Sequence, residues 1–262
     1  MLREQRDTMD AESTPDRLFT VAFVPGVTLA KWSKVWAERR PDLPMGFAQT
    51  PESDQTRVLH AAEAEVSFVR LPVDPTDLSV IPLYVEVPVV VLPKEHALAE
   101  AESVAVAELA GEHLLQDPDA VPEWRDVADE IRDGSRRPLP SIRTGDDAAE
   151  LVAAGVGIVI WPQSVARLYG RKDVVAVPVT DVAESQIALA WLEENTTPDV
   201  EEFIGVVRGR TARSSRAPQE EPEKAPPKER KPQQKPKAKP FTPRQGRAPK
   251  KLGKGRNRGR GR

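Results

Sequence analysis

The chain has 262 residues, a net charge of −3 and no cysteine, so it is long enough for one or two compact domains, and disulfides, thiolate metal sites and catalytic thiols are excluded. It has no apolar run long enough to span a membrane, and its polar first residues lack the apolar segment of a signal peptide, so we expect a cytoplasmic protein. The charge is unevenly divided, because residues 211–262 carry a net +14 and residues 1–210 a net −17.

Residues 1–17 are polar and lack apolar periodicity, so we expect a disordered lead. Beyond them, apolar runs alternate with amphipathic segments. Strands are predicted over residues 18–24, 43–48, 65–70, 80–92, 113–116, 141–144, 156–161, 174–179 and 186–192. Helices are predicted over residues 29–40, 51–64, 103–109, 122–132, 146–154, 164–169 and 198–207.

Several of these segments have clear boundary signals. Thr28 is predicted to cap the first helix, and Thr197 precedes Pro198 at the start of the last one. Residues 156–161 form a continuous apolar run, which is typical of a strand covered on both faces. The alternation predicts an α/β fold with largely parallel sheets, and the length of the region suits two small sheets better than one large sheet.

Ligands of such sheets bind beyond the carboxyl ends of the strands. Three of the predicted strand ends lead towards helices, at residues 25–28, 49–51 and 144–146. Because helix N-termini present free N–H groups and a partial positive charge, these loops suit a carboxylate ligand.

Four segments carry a family resemblance when they are taken in order. They are FTVAFVPGVTLAKWSKVWAERRPDLPM, VLHAAEAEVSFVRLPV, VIPLYVEVPVVVLPKEHALAEAESVAVAELAGEHLLQDP and DDAAELVAAGVGIVIWPQSVARL. Together they resemble the effector-binding domain of LysR-type transcriptional regulators over residues 18–208. The third and fourth segments are the most specific, since they follow that family's "HPLA" turn and its "AG.GI.LLP.S.A" pattern.

The resemblance implies two Rossmann-like subdomains joined by two crossover strands, as in type 2 periplasmic binding proteins. One subdomain would hold residues 18–84 and 186–210, and the other residues 85–185. A small effector, expected to be an anionic metabolite, would sit in the cleft, and shifts between the subdomains would carry the signal. The family also pairs its domains side by side, so we expect a homodimer.

One part of the family's pattern is missing from this sequence. LysR-type regulators carry a winged helix-turn-helix and a long linker helix before the effector-binding domain. Only 17 residues precede the first predicted strand, too few for three helices of average length. We therefore expect an effector-binding domain without its own DNA-reading head.

The candidate ligand-binding residues lie at the ends of the strands that would face the cleft. Thr28 would bind an effector carboxylate or simply cap a helix, and Arg70 would pair with an anionic ligand or lie solvated on the surface. Thr144 and Gly145 would face the cleft or form a plain turn and cap, and Trp161 would line the pocket or pack in the core. The full set comprises Pro25, Gly26, Val27, Thr28, Gln49, Thr50, Arg70, Leu71, Thr144, Gly145, Trp161 and Pro162.

Other chemistry finds little support in the sequence. The glycines at 155 and 157 follow a helix and precede a strand, the reverse of a dinucleotide-binding loop. His60, His96 and His113 lack metal-ligand spacing, and neither a G-x-S-x-G elbow nor a general acid/base pair is apparent. We expect no cofactor, no metal and no catalytic residue, although an enzyme on the same architecture stays the third hypothesis.

Residues 211–262 are rich in proline and basic residues, with Phe241 as the only aromatic, so we expect a disordered basic tail. Its end resembles Arg/Gly segments that contact nucleic acid non-specifically through phosphates. The candidate residues for this contact are Lys250, Lys251, Lys254, Arg256, Arg258, Arg260 and Arg262. The alternatives are a solubilising tail, a tail that folds back on the acidic body of the chain, and a tail that contacts an acidic partner.

Two main hypotheses remain open. In the first, the chain is a ligand-sensing regulator of the LysR type that binds a small metabolite between two subdomains. In the second, the domain has lost its ligand and serves as an interaction scaffold whose basic tail binds nucleic acid.

Overall fold

The computed structural model describes residues 17–209, so the predicted lead and basic tail lie outside the described residues. The strands are β1 (Phe19–Phe23), β2 (Met45–Gln49), β3 (Val66–Leu71), β4 (Leu78–Glu86), β5 (Pro88–Pro93), β6 (Val159–Pro162), β7 (Val174–Pro178) and β8 (Ser185–Leu192). The α-helices are α1 (Ala30–Arg39), α2 (Arg57–His60), α3 (Pro122–Val127), α4 (Asp129–Arg132), α5 (Gly145–Ala153), α6 (Gln163–Leu168) and α7 (Pro198–Val207). Short 3₁₀ helices cover Glu52–Asp54, Val106–Leu109, Pro118–Ala120 and Glu193–Asn195.

These strands form two separate sheets. The first has five strands in the order β2-β1-β3-β8-β4, and the second has three in the order β6-β5-β7. We call the elements packed on the first sheet the first lobe and those packed on the second sheet the second lobe. β1 is parallel to β2 and β3, but β8 is antiparallel to β3 and β4, and β5 is antiparallel to both of its neighbours. The prediction of largely parallel sheets is therefore wrong.

The path of the chain between the lobes explains this difference. The apolar run predicted as one strand over residues 80–92 is two strands in different sheets, because β4 ends at Glu86 and β5 begins at Pro88. The chain returns along β8, which enters the first sheet between β3 and β4. Apolar periodicity reports which residues are buried, and it does not report which strand each one pairs with.

Both faces of the first sheet are buried. On one face, aromatic rings of β1, α1 and α7 pack together, with Phe19 4.6 Å from Trp36 and 5.2 Å from Phe203 between ring centroids. The indole N–H of Trp36 donates to the Leu43 carbonyl at 2.8 Å, which satisfies its polar atom in the core. The opposite face packs against α2. The first sheet is thus the middle layer of an α/β sandwich.

The second sheet is also covered on both faces. Trp124 of α3 is fully buried on one face, and its indole N–H donates to the Leu109 carbonyl at 3.0 Å. Val152 of α5 is fully buried on the other face. Each lobe therefore has its own hydrophobic core.

Several local predictions are corrected by tertiary contacts. The predicted helix over residues 122–132 is broken at Ala128, whose extended backbone lets the next N–H, that of Asp129, donate to the Ala110 carbonyl at 2.8 Å. Residues 141–144 form no strand, because the N–H groups of Arg143 and Thr144 donate to the Asp147 carboxylate, each at 3.0 Å.

Of the two predicted helix N-caps, one is wrong and one is confirmed. Thr28 does not cap α1, since Leu29 occupies the N-cap position and no side chain accepts a hydrogen bond there. Thr197 does cap α7, and its hydroxyl accepts from the Val200 N–H at 3.3 Å. Within residues 17–209, no helix is both long and apolar enough to cross a membrane.

Candidate functional site

Arg70 is the centre of a buried polar cluster at the carboxyl end of β3. Its side chain is only 6% exposed, and its Nη2 donates to Glu86 Oε2 at 2.9 Å and to the Pro25 carbonyl at 3.2 Å. Its Nη1 forms an ion pair with Glu52. The guanidinium thus joins the turn after β1, the last residue of β4 and the 3₁₀ helix that follows β2.

The backbone of Arg70 is held as firmly as its side chain. The buried amide of Gln55 accepts from the Arg70 N–H at 2.7 Å and donates to the Arg70 carbonyl at 3.0 Å. Paired hydrogen bonds of this kind stand in for a neighbouring strand. Gln55 also accounts for the break in the predicted helix over residues 51–64, because its amide is committed to β3 rather than to a helix surface.

Four buried side-chain atoms lack a hydrogen-bond partner among the described residues: Nε of Arg70 and the hydroxyl oxygens of Ser67, Ser164 and Ser185. Ser164 is the second residue of α6, and Ser185 is in register with Glu86. Buried donors and acceptors are nearly always paired in folded proteins, so each unpaired one asks for an explanation. A ligand that supplies the missing partners is one such explanation.

Gly26 brings the two lobes into contact. A Cβ built on Gly26 would lie 2.2 Å from the Ser164 hydroxyl oxygen and 3.0 Å from its Cβ, and Gly26 has a φ of +93°. Only glycine fits here, because any side chain would meet both a strained backbone and the facing lobe. The turn of residues 25–26, Arg70 and Ser164 therefore mark one place where the lobes meet, which we call the cleft.

A second group of predicted residues lies in the second lobe. Thr144 caps α5, its hydroxyl accepting from the Asp147 N–H at 3.1 Å, and backbone hydrogen bonds from Arg143 and Thr144 lower the pKa of Asp147. A Cβ on Gly145 would lie 2.2 Å from the Tyr169 ring. The Tyr169 ring is in turn 5.8 Å from that of Trp161 between centroids.

The remaining predicted site residues are spread more widely. Val27 is buried in the first-lobe core, whereas Thr28 and Gln49 are exposed. Thr50 is buried, and its hydroxyl donates to the Ala48 carbonyl at 3.4 Å. Leu71 is half-buried, and Pro162 pairs in register with Pro88.

Four residues around Arg70 were not predicted from the sequence: Glu52, Gln55, Glu86 and Ser164. Glu86 did carry a signal, because a carboxylate inside the apolar run of residues 83–91 needs a buried cation. The pKa of the nearby Tyr84 phenol is raised by burial and further by Glu86, while Arg70 opposes the shift. Glu52 and Ser164 carried no such signal, since their partners lie far away in sequence.

Two cavities of the described residues lie elsewhere, and neither is lined by Arg70, Gly26 or Ser164. One of about 420 Å³ lies at the opposite end of the first sheet and is bordered by His60, Asp77, Leu192, Glu193 and Glu194. Another of about 350 Å³ lies on the second lobe beside His113, whose Nδ1 is 2.7 Å from Glu130 Oε2. In residues 17–209, no group of three or more His, Asp or Glu side chains is arranged to hold a metal ion.

A protein-family model matches most of this chain. The LysR substrate binding domain matches residues 13–212. The chain belongs to the LysR substrate-binding-domain family. This confirms the resemblance found in the sequence, and LysR-type transcriptional regulators are not enzymes.

Two relatives of the LysR domain are transcriptional activators. The Hca operon transcriptional activator HcaR of Escherichia coli (strain K12) is 24% identical over 216 residues, which cover 75% of this chain and 69% of that protein. The probable hydrogen peroxide-inducible genes activator of Mycobacterium avium is 29% identical over 161 residues, or 59% of this chain and 47% of that protein. The chain thus spans less than half the length of the second relative.

Solved structures support the same fold. The BenM effector binding domain with its effector benzoate superposes with a TM-score of 0.58 at 20% identity, covering 74% of this chain and 91% of that chain. A Corynebacterium glutamicum OxyR mutant gives a TM-score of 0.58 at 21% identity, covering 76% of this chain and 65% of that chain. These matches confirm the predicted fold class, a mixed α/β fold of the type 2 periplasmic-binding-protein kind.

The contact between Gly26 and Ser164 gives a direct stability test. Gly26→Ala should lower the free energy of unfolding by about 2–5 kcal/mol, the sum of left-handed backbone strain and overpacking. Gly134→Ala is the matched control, because Gly134 has a φ of +73° with nothing within 4 Å of the added Cβ, and it should lose only about 1–2 kcal/mol. Urea unfolding followed by tryptophan fluorescence measures both, and equal losses would show that the lobes do not meet at Gly26.

Proposed function

We propose that this chain is a ligand-sensing domain in transcriptional regulation, and that it binds a small anionic metabolite in the cleft between its lobes. Its membership of the LysR family supports a regulatory role, and we propose that it works in the cytoplasm, as LysR-type regulators generally do. The observation that most directly supports an anionic ligand is the buried Arg70 guanidinium, whose Nε–H has no acceptor within the described residues.

The cleft offers groups from both lobes to such a ligand. Arg70 and the turn at Pro25 and Gly26 belong to the first lobe, and the Ser164 hydroxyl belongs to the second. A ligand bound by both lobes favours one arrangement of the lobes over others, which is how a binding event becomes a signal. The other predicted residues, from Thr28 and Gln49 to Thr144 and Trp161, remain proposed contacts for larger parts of the effector.

A calorimetric screen of the full chain tests this proposal. Benzoate is a useful first probe, because it is the effector in the BenM structure, and benzamide is its uncharged counterpart. We expect one or more small carboxylates to bind, and Arg70→Lys to weaken binding by about tenfold or more, because lysine cannot replace the planar guanidinium fork. Arg57→Lys, at an exposed arginine of the same lobe, should leave the affinity unchanged.

Ser164→Ala provides a second test that leaves the buried ion pair intact. It should weaken the same carboxylate without lowering the melting temperature of the free protein, since its hydroxyl has no partner in the described structure. If metabolite-sized acids, amino acids and aromatic acids all fail to bind the native chain, the ligand-sensing proposal is wrong and the interaction scaffold is favoured.

We also propose a homodimer formed through the edge of the first sheet. β2 is an edge strand, and Phe47 at its centre is 55% exposed, an arrangement that favours pairing with another copy. Phe47→Glu should convert the dimer to a monomer at micromolar concentration in native mass spectrometry. Leu139→Glu, at an exposed leucine outside the sheets, should leave it dimeric. A native chain that is monomeric under the same conditions would contradict the proposal.

The basic residues of the tail supply a proposed contact with nucleic acid. The net charge of +14 over residues 211–262 supports binding through phosphates, with little sequence preference. Fluorescence anisotropy with two unrelated single-stranded oligonucleotides should give similar affinities that fall steeply with salt. Deletion of residues 211–262 should abolish this binding and leave carboxylate binding unchanged. Nucleic-acid binding that survives the deletion would place the contact elsewhere.

A further inference from the structure

Arg70 is contacted by two carboxylates that differ sharply in their surroundings. The Glu86 side chain is 6% exposed and lies on β4, in register with Ser185 of β8. The Glu52 side chain is 52% exposed and lies on a three-residue 3₁₀ helix after Pro51. One carboxylate is therefore fixed in the interior, and the other is open to water on a short segment.

The two carboxylates should differ in how readily they leave the guanidinium. Removing Glu86 would strand a buried cation, whereas Glu52 can return to water and recover its hydration. Arg70 itself cannot follow Glu52, because Gln55 holds its backbone and Glu86 and the Pro25 carbonyl hold its Nη2. The position of Glu52 on Nη1 is thus the exchangeable one.

We propose that Glu52 is an internal competitor that occupies the place of an effector carboxylate on Arg70 and thereby sets which ligands bind. This inference rests on the proposed function of the cleft and adds a specificity-determining residue to it. A ligand must displace Glu52 to reach Nη1, so weakly interacting anions are rejected and neutral ligands gain nothing from the exchange.

Unpartnered groups near Arg70 offer a ligand contacts that Glu52 does not make. Even with Glu52 in place, Arg70 Nε and the Ser164 hydroxyl have no partner within the described residues. Ser164 lies against Gly26, the neighbour of the Pro25 carbonyl that Arg70 contacts. An incoming carboxylate with further polar atoms has unsatisfied donors to meet, and Glu52 leaves these donors unused.

The test compares Glu52→Gln with Glu63→Gln in the full chain. Glu63 is the matched control, because its side chain is 53% exposed and pairs with Arg57, so both variants remove one exposed carboxylate from an ion pair on the first lobe. With calorimetry, Glu52→Gln should tighten benzoate binding about fivefold to tenfold, since removal of a competing ion pair is a modest effect. Glu63→Gln should change it less than about twofold, and benzamide should bind all three proteins equally.

Each other outcome would overturn the inference. Equal tightening by the two variants would mean that net charge alone acts, and weaker binding by Glu52→Gln would mean that Glu52 holds the ligand. If the native chain binds a ligand and Glu52→Gln leaves carboxylate affinity unchanged, the inference fails while the ligand-sensing function stands. If benzoate binds neither the native chain nor Glu52→Gln, the inference fails, and the wider ligand screen then decides the function.

A spectroscopic readout makes the test independent of affinity. In nitrogen-15 NMR spectra of the full chain, the Arg70 Nε–H signal should shift when Glu52 is replaced by Gln, and should shift again when benzoate is added. The signal should not respond to Glu63→Gln. If the Arg70 signal changes neither with Glu52→Gln nor with saturating benzoate, the guanidinium is not the group at which benzoate replaces Glu52.

Discussion

The ion pair between Arg70 and Glu86 lies where the chain leaves the first lobe. Glu86 is the last residue of β4, one residue before β5 begins in the second sheet, and its Oε2 is 2.9 Å from Arg70 Nη2. Both side chains are buried, so each carries a desolvation penalty that the other must offset. A buried pair of this kind is weak evidence for stability in itself, but it places one guanidinium at a defined point beside the passage between the lobes.

The remaining features of the cleft follow from that placement. The Pro25 carbonyl accepts from Arg70, which puts the turn after β1 beside the ion pair, and Gly26 in that turn meets Ser164 of the second lobe. The cleft therefore combines a rigid cation with a point of contact between lobes. Under the function that we propose for this LysR-family domain, this combination would allow one small ligand to influence both the local charge balance and the arrangement of the lobes.

The exposed Glu52 gives the cluster more negative than positive charge, with one cation facing two anions. A ligand carboxylate that replaced Glu52 would keep the charge balance of the cluster. It would also replace an exposed contact on one lobe by contacts that involve both lobes. Because a ligand must compete with Glu52, the proposed site would select an anion that has further matching groups and would not accept every anion.

Local signals in the sequence predicted most elements, and long-range contacts decided the rest. The start of the last helix could be predicted from Thr197 and Pro198, and a buried strand from the apolar run of residues 156–161. Capping and burial are local properties, so local signals report them. Strand direction was wrong, and so was the single strand over residues 80–92, because pairing partners come from distant segments. Arg70 was expected at a strand end, but its partners Glu52 and Glu86 lie 18 and 16 residues away and only the fold brings them together.

The most direct measurement is a crystal structure of the full chain with the small carboxylate that binds it most tightly. The proposed function requires density between the lobes, with the ligand carboxylate within hydrogen-bond distance of Arg70 and another polar atom near Ser164. Density instead in the acidic cavity at the far end of the first sheet, beside His60 and Glu193, with the cleft filled by protein side chains, would contradict it.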